Sequence, residues 1–196
     1  MDTSFSALMG LVRDCIVDPR AGAARIITAR VPMDARWLIA ALVVVLGVLL
    51  GQVTMRIMLA PTGMMGGVMA GPVTAFVFQS GVLLLMALAA HNVGRWMGGG
   101  GNFPDALLLI SALQGIMVVI QVVQIAALML LPPLAGLIGI FAFGVFLWVL
   151  TGFVAELHGF RSLLGVFGMV IATAFGAAFL LAIILATLGI APPEVG

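Results

Sequence analysis

Five long apolar runs constrain the fold of this chain more than any other feature of its sequence. The middle run follows Asp105, extends to Leu131 and carries no charge over 26 residues. Folded as an α-helix, it would be about 39 Å long, and the hydrocarbon core of a bilayer is about 30 Å thick. The run is therefore long enough to cross a membrane with some tilt. It predicts a transmembrane helix at the hub of a helical bundle.

The composition requires a membrane around most of the chain. Hydrophobic residues make up 64% of the sequence and charged residues 8%, whereas soluble domains carry about 25% charged residues. We therefore predict an all-α polytopic membrane protein, with five transmembrane helices in one domain (37–189) behind an amphipathic N-terminal segment. The predicted segment is 1–36, the spans are about 37–59, 68–90, 106–131, 134–155 and 162–188, and a short external tail is 190–196.

Polar residues of the middle run share one face of the predicted helix. At about 100° per residue, four of them fall within about 140° of arc. The four are Ser111, Gln114, Gln121 and Gln124, and Gln79 and Ser80 of the second span are their predicted partners. Such a face serves hydrogen bonding between helices, or it lines a polar groove for lipid head groups or a neutral solute.

Small residues at four-residue spacing predict close helix packing in two spans. Gly47 and Gly51 form such a pair in the first span, and Gly168, Ala172 and Gly176 form a ridge in the fifth. These ridges pack helices inside one bundle, or they mediate a homo-oligomer.

The N-terminal segment, residues 1–36, contains two predicted amphipathic helices. Asp18-Pro19 is typical of the start of the second one, with the aspartate as N-cap. Arginines along the segment favour helices that lie on the membrane surface and bind anionic lipid head groups. A compatible alternative is a docking surface for a cytoplasmic or membrane protein, and loop 91–104 is a second candidate for that role.

The arginines predict the orientation of the chain. Segments on the N-terminal side of the membrane hold Arg13, Arg20, Arg25, Arg30, Arg36, Arg95 and Arg161, and the opposite side holds Arg56. Because short cytoplasmic loops accumulate arginine, the N-terminus is predicted to be cytoplasmic and the C-terminus external.

Residues suited to chemistry are few. His91, Asp105, Glu156 and His158 are predicted near the cytoplasmic face, but their spacing matches no metal or protease motif. Cys15 has no second cysteine to pair with and is interpreted as a small apolar residue. We therefore predict no catalytic residue, cofactor or metal, and the sequence has no pattern typical of nucleic-acid binding.

Two stretches carry a resemblance to a known family. They are residues 18–27 (DPRAGAARII), which precede the first span at Trp37, and the polar link 156–161 before the last span. With five close spans between them, the chain resembles the Yip family of membrane proteins, and more specifically its bacterial branch. The resemblance implies this architecture and a multi-pass location in a bacterial inner membrane. Eukaryotic members bind Rab-type GTPases, but no family site residue maps onto this chain.

Two functions are compatible with these features. The first is a non-enzymatic, membrane-organising or partner-binding protein that uses its N-terminal segment. The alternative is a small permease or lipid-translocating protein that uses the polar face of the third span.

Overall fold

The computed structural model describes residues 5–59 and 71–187, and nearly all of them are helical. The helices are α1 (Phe5–Val17), α2 (Pro19–Thr28), α3 (Met33–Leu59), α4 (Pro72–Trp96), α5 (Phe103–Leu130), α6 (Pro132–His158) and α7 (Leu163–Thr187). No strand occurs within the two described ranges, so the predicted all-α class is confirmed. Helices α3 to α7 are each long and apolar enough to cross a membrane.

Four helices extend beyond the predicted spans at the end of the bundle that carries the N-terminus. α3 begins at Met33, α5 begins at Phe103, α4 continues to Trp96 and α6 continues to His158. Hydropathy marks only the part of a helix that suits hydrocarbon, whereas the backbone stays helical wherever polar side chains find partners. The predicted loop 91–104 is reduced to residues 97–102. Outside the described residues lie the predicted link 60–67, the start of the predicted second span and the tail 190–196.

Polar side chains cap three helix starts, and a glycine ends α6. At the start of α7, the Ser162 hydroxyl accepts a hydrogen bond from the Gly165 N–H at 3.1 Å. Asp18 accepts a hydrogen bond from the backbone N–H of Ala21 at 3.0 Å, and Asn102 accepts one from Asp105 at 2.9 Å. Each bond satisfies a donor that has no partner within the helix. Gly159 follows α6 with a φ of 71°, which glycine adopts without the steric cost of a Cβ. The chain therefore turns sharply between α6 and α7.

Helix α5 is the hub of the bundle, as its sequence predicts. It packs against α2, α3, α4 and α6. Its most buried side chains, among them Leu107, Leu109 and Leu113, lie in its first half. The best-packed part of the core is therefore at the end where α2 joins the bundle.

Helix α7 lies at the periphery and packs mainly on α6. No other described helix makes a close contact with its predicted small-residue ridge. Open space surrounds Gly168 and Gly176, and Ala172 between them is exposed. The ridge therefore lies on the outer surface of the single copy.

Candidate functional site

Helices α1 and α2, together called the N-terminal cap, join the bundle through α2. The buried face of α2 consists of Pro19, Gly22, Ala23 and Ile26, and α2 contacts both α6 and α5. Gly152 of α6 permits this contact, because a methyl group there would overlap Pro19 Cβ. The second of the two helices predicted to lie on the membrane surface is thus docked on the bundle, since small residues on both sides let the backbones approach.

Cys15 of α1 packs against Gly22 of α2. Cys15 is 1% exposed, and a methyl group at Gly22 would lie 2.6 Å from its Sγ. Burial and, to a smaller extent, the Asp14 carboxylate raise the pKa of the Cys15 thiol to about 11, against an opposing effect of Arg25. At neutral pH the thiol is therefore protonated, and its role is packing.

Three polar contacts connect the cap to α6 and to the link that follows it. Arg20 Nη2 donates a hydrogen bond to the Phe160 carbonyl at 2.7 Å, and Arg20 Nε lies 3.5 Å from Glu156 Oε2. Trp148 Nε1 donates to the Ile16 carbonyl at 3.0 Å. This carbonyl belongs to the last turn of α1, where it has no partner within the helix. The cap is thus held at both of its helices.

A buried ion pair joins the starts of α3 and α5. Arg36 Nη1 lies 2.6 Å from Asp105 Oδ1, and Arg36 Nε donates to the Val31 carbonyl at 2.8 Å. Asn102 Nδ2 donates to the second carboxylate oxygen of Asp105 at 2.7 Å. The sequence predicts Arg36 just outside the first span, but in the structure it is buried. Its charge is matched by the carboxylate, which allows α3 to begin earlier.

The glycine-rich loop after α4 is folded onto His158. The Gly101 N–H donates to His158 Nδ1 at 3.1 Å, so the ring proton resides on Nε2, which lies 2.9 Å from the Ala90 carbonyl. Methyl groups at Gly94 or Gly99 would overlap the imidazole. The loop glycines Gly99 and Gly101 therefore provide the space that the His158 ring occupies.

Four ionisable residues are predicted near the cytoplasmic face: His91, Asp105, Glu156 and His158. They do not form one site. Asp105 and Glu156 pair with the arginines described above, and His158 is bonded to backbone groups. His91 packs edge-on against Phe103, and its Nδ1 is buried without a hydrogen-bond partner. Among the residues that the structure describes, no group of three His, Cys, Asp or Glu side chains is placed to hold a metal ion.

The outer surface of the cap carries a cleft of about 400 Å³ between α1 and α2. It is lined by Arg13, Asp14, Val17, Asp18, Ala21, Gly22 and Arg25. Arg25 Nη1 lies 3.0 Å from Asp14 Oδ2, and both side chains are more than half exposed. The cleft therefore presents charges of both signs beside an apolar wall.

The predicted polar face of α5 divides into two parts. Ser111 Oγ donates to the Leu107 carbonyl at 2.7 Å within the same helix, and Gln124 Nε2 donates to the Ala135 carbonyl of α6 at 3.1 Å. The Ser111 hydroxyl and the Gln124 carboxamide are therefore both bonded to backbone carbonyls of the bundle. Ser80 is half-buried on α4 beside Gln79.

The other glutamines of this face lie against the small residues of α3. A methyl group at Gly47 would lie 2.5 Å from Gln79 Nε2 and 3.1 Å from Gln114 Nε2. One at Gly51 would lie 3.9 Å from Gln121 Nε2. The structure thus brings the predicted partner Gln79 to Gln114, and the glycines make room for their carboxamides.

A comparison with protein families decides where this chain belongs. The family model described as the Yip1 domain matches residues 13–189. The chain belongs to the Yip1 domain family. No curated protein and no solved structure matches it. Together with the five apolar helices, this membership makes it a multi-pass membrane protein.

The match shows that the Yip1 domain of this chain includes α2 and the C-terminal end of α1. It begins within α1, so all of α2 and its contacts with α6 lie inside the domain. Sequence reasoning missed the contact of Pro19 with Gly152 and the pair of Arg36 with Asp105. The ion pair could have been predicted from the sequence, because Arg36 and Asp105 each directly precede an apolar run on the same predicted side of the membrane.

Proposed function

We propose that this Yip1 domain protein is a non-enzymatic, membrane-organising or partner-binding protein that presents its N-terminal cap to a partner. The observation that supports this proposal is the docking of α2 on α6 through Pro19 and Gly152. A cap held in this way presents the α1–α2 cleft in one orientation. A preformed surface loses less conformational freedom on binding than a free segment does.

The contacts made by the ionisable side chains support a non-enzymatic role. Asp105 and Glu156 are engaged by arginines, and His158 is enclosed by loop glycines. Groups held in this way organise the fold and are not poised to react with a substrate. The distribution of arginines favours a cytoplasmic cap, whose exposed arginines lie near anionic lipid head groups. The resemblance to the bacterial branch of the family is the reason to propose a bacterial inner membrane.

Site-specific photo-crosslinking in native membranes tests the proposal. A photoreactive residue at Ala21, which lines the cleft and is exposed, should give a discrete protein adduct. The matched control at Val77, exposed on α4, should give lipid adducts. Gly152→Leu should abolish the protein adduct at position 21 by displacing α2. Lipid adducts alone at both positions would show that the cap lies against lipid and has no protein partner.

Self-association is a second part of the proposal. The outward ridge of Gly168, Ala172 and Gly176 allows close approach of α7 from a neighbouring copy. Replacing Gly168 and Gly176 by leucine should reduce cross-linked dimer in native membranes while the monomer stays folded. Monomer alone in the unsubstituted protein contradicts this part.

The alternative function is a small permease or lipid-translocating protein that uses the polar face of α5. Its support is a groove beside Gln114, whereas Ser111 and Gln124 are occupied by backbone carbonyls. A reconstituted protein should then move fluorescent lipid or a neutral solute across vesicles, and the double substitution Gln114→Leu and Gln121→Leu should stop that flux. Flux equal to that of empty vesicles excludes it.

A further inference from the structure

A groove of about 350 Å³ lies between α4 and α5. It is lined by Thr74, Ala75, Phe78, Gln79, Val82 and Gln114. Thr74 is in the first turn of α4, and Gln79 is about 7.5 Å further along the helix axis. The groove thus leads from the end of α4 that starts at Pro72 into the depth of the bundle.

Two carboxamides in this groove have no hydrogen-bond partner within residues 5–59 and 71–187. Among the described residues, the side chains of Gln79 and Gln114 make no hydrogen bond. Both are half-buried, and both amide nitrogens lie against Gly47. A polar group at membrane depth is costly without a partner. Two such groups that converge on one groove indicate an occupant that supplies hydrogen-bonding atoms.

The lining of the groove defines the chemistry of that occupant. Phe78, Val82 and Ala75 provide an apolar wall, and none of the described residues that line the groove is charged. Moving a charged head group to this depth would be strongly unfavourable. A lipid without a charged head group can sink until its hydroxyl or ester oxygens meet the amides.

We propose that the groove binds an uncharged glycerolipid of the diacylglycerol class. Its hydroxyl and ester oxygens accept hydrogen bonds from the carboxamides of Gln79 and Gln114, and one acyl chain lies along Phe78 and Val82. This site is independent of the partner surface on the N-terminal cap. Its test can fail without affecting the proposed function of the cap, and the reverse also holds.

Photo-labelling in nanodiscs tests the site. The discs contain phosphatidylcholine and a small fraction of diacylglycerol that carries a diazirine in one acyl chain. A parallel sample carries the same acyl chain on phosphatidylglycerol. Labelled peptides are mapped by mass spectrometry, with competition by unlabelled diacylglycerol. We expect competable labelling of the α4 and α5 peptides that line the groove by the uncharged probe, and little by the charged one.

Substitutions then test whether the labelling depends on the carboxamides of Gln79 and Gln114. Gln79→Leu or Gln114→Leu should lower the labelling about fivefold, the effect of losing one hydrogen bond. Gln121→Leu is the matched control, because it lies two turns along the same face of α5 and does not line the groove. Ala75→Phe, which fills the groove and leaves both amides in place, should also remove the labelling. Circular dichroism and thermal unfolding identify any variant that fails to fold.

Three results would overturn the proposal. The first is equal labelling of the unsubstituted protein and of folded Gln79→Leu and Ala75→Phe variants. The second is equal labelling by the phosphatidylglycerol probe, since the site would then not distinguish uncharged lipids. The third is no competable labelling of the groove, which would leave water as the partner of the amides.

Discussion

Pro19 of α2 lies directly against Gly152 of α6, with no space between them for a methyl group. This contact joins a helix that the sequence predicts on the membrane surface to the core of the bundle. Ala23 and Ile26 continue the same buried face. The orientation of the N-terminal cap therefore depends on a glycine more than 130 positions away in sequence.

Gly152→Ala should destabilise the protein and displace the cap. A methyl group there overlaps the Pro19 ring, and overpacking of this kind costs about 1–3 kcal/mol. Gly144→Ala on the same helix is the matched control, because its methyl group meets open space. Thermal unfolding in detergent should show a lower midpoint for Gly152→Ala and an unchanged or higher midpoint for Gly144→Ala. Equal midpoints would mean that α2 is not held by this contact.

Cys15 should react slowly with maleimide in the folded protein. Because its pKa is raised from 9.0 to about 11, the thiolate fraction at neutral pH falls about 100-fold, and burial blocks access further. Labelling should accelerate as the pH approaches 11, when the thiol ionises. It should also accelerate at neutral pH in Gly152→Leu, if displacement of α2 uncovers the sulfur. Fast labelling of the unsubstituted protein at pH 7 is incompatible with the packed cap.

Breaking the ion pair between Arg36 and Asp105 should be more harmful than removing both charges. Either Arg36→Met or Asp105→Leu leaves a buried charge without its partner, which costs about 3–5 kcal/mol. The double variant should recover part of this loss. Arg56→Met serves as control, because Arg56 is exposed. Stability can be measured by denaturant unfolding in mixed micelles, where additive single effects would contradict the coupling.

Adjacent loop glycines should differ sharply in their tolerance of alanine. A methyl group at Gly99 overlaps the His158 ring, whereas one at Gly100 meets open space. Gly99→Ala should therefore weaken the hydrogen bond from Gly101 to His158 and increase amide exchange in residues 97–102. Gly100→Ala should leave exchange unchanged. The same exchange in both variants would show that the loop is not packed on the imidazole.

Sequence patterns correctly predicted the features whose physical cause lies within a short stretch of the chain. The capped start at Asp18-Pro19 and the long apolar run after Asp105 depend on residues within one or two helical turns. The groups that hold the cap could not be predicted in this way. A glycine such as Gly152 has the same pattern in sequence whether it faces lipid or a proline from another helix. Only the tertiary contact distinguishes the two.

The sequence by itself determined the class of this protein, the five membrane-crossing helices and the central place of α5, because burial of apolar runs in a bilayer follows from composition and length. The tertiary structure decided how each polar residue is used. Arg36 forms an ion pair with Asp105, and His158 accepts a hydrogen bond from the glycine loop. Gln79 and Gln114 line a groove. The physical reason is that hydrogen bonds and close packing require atoms within a few ångströms, and that proximity arises only when helices distant in sequence come together.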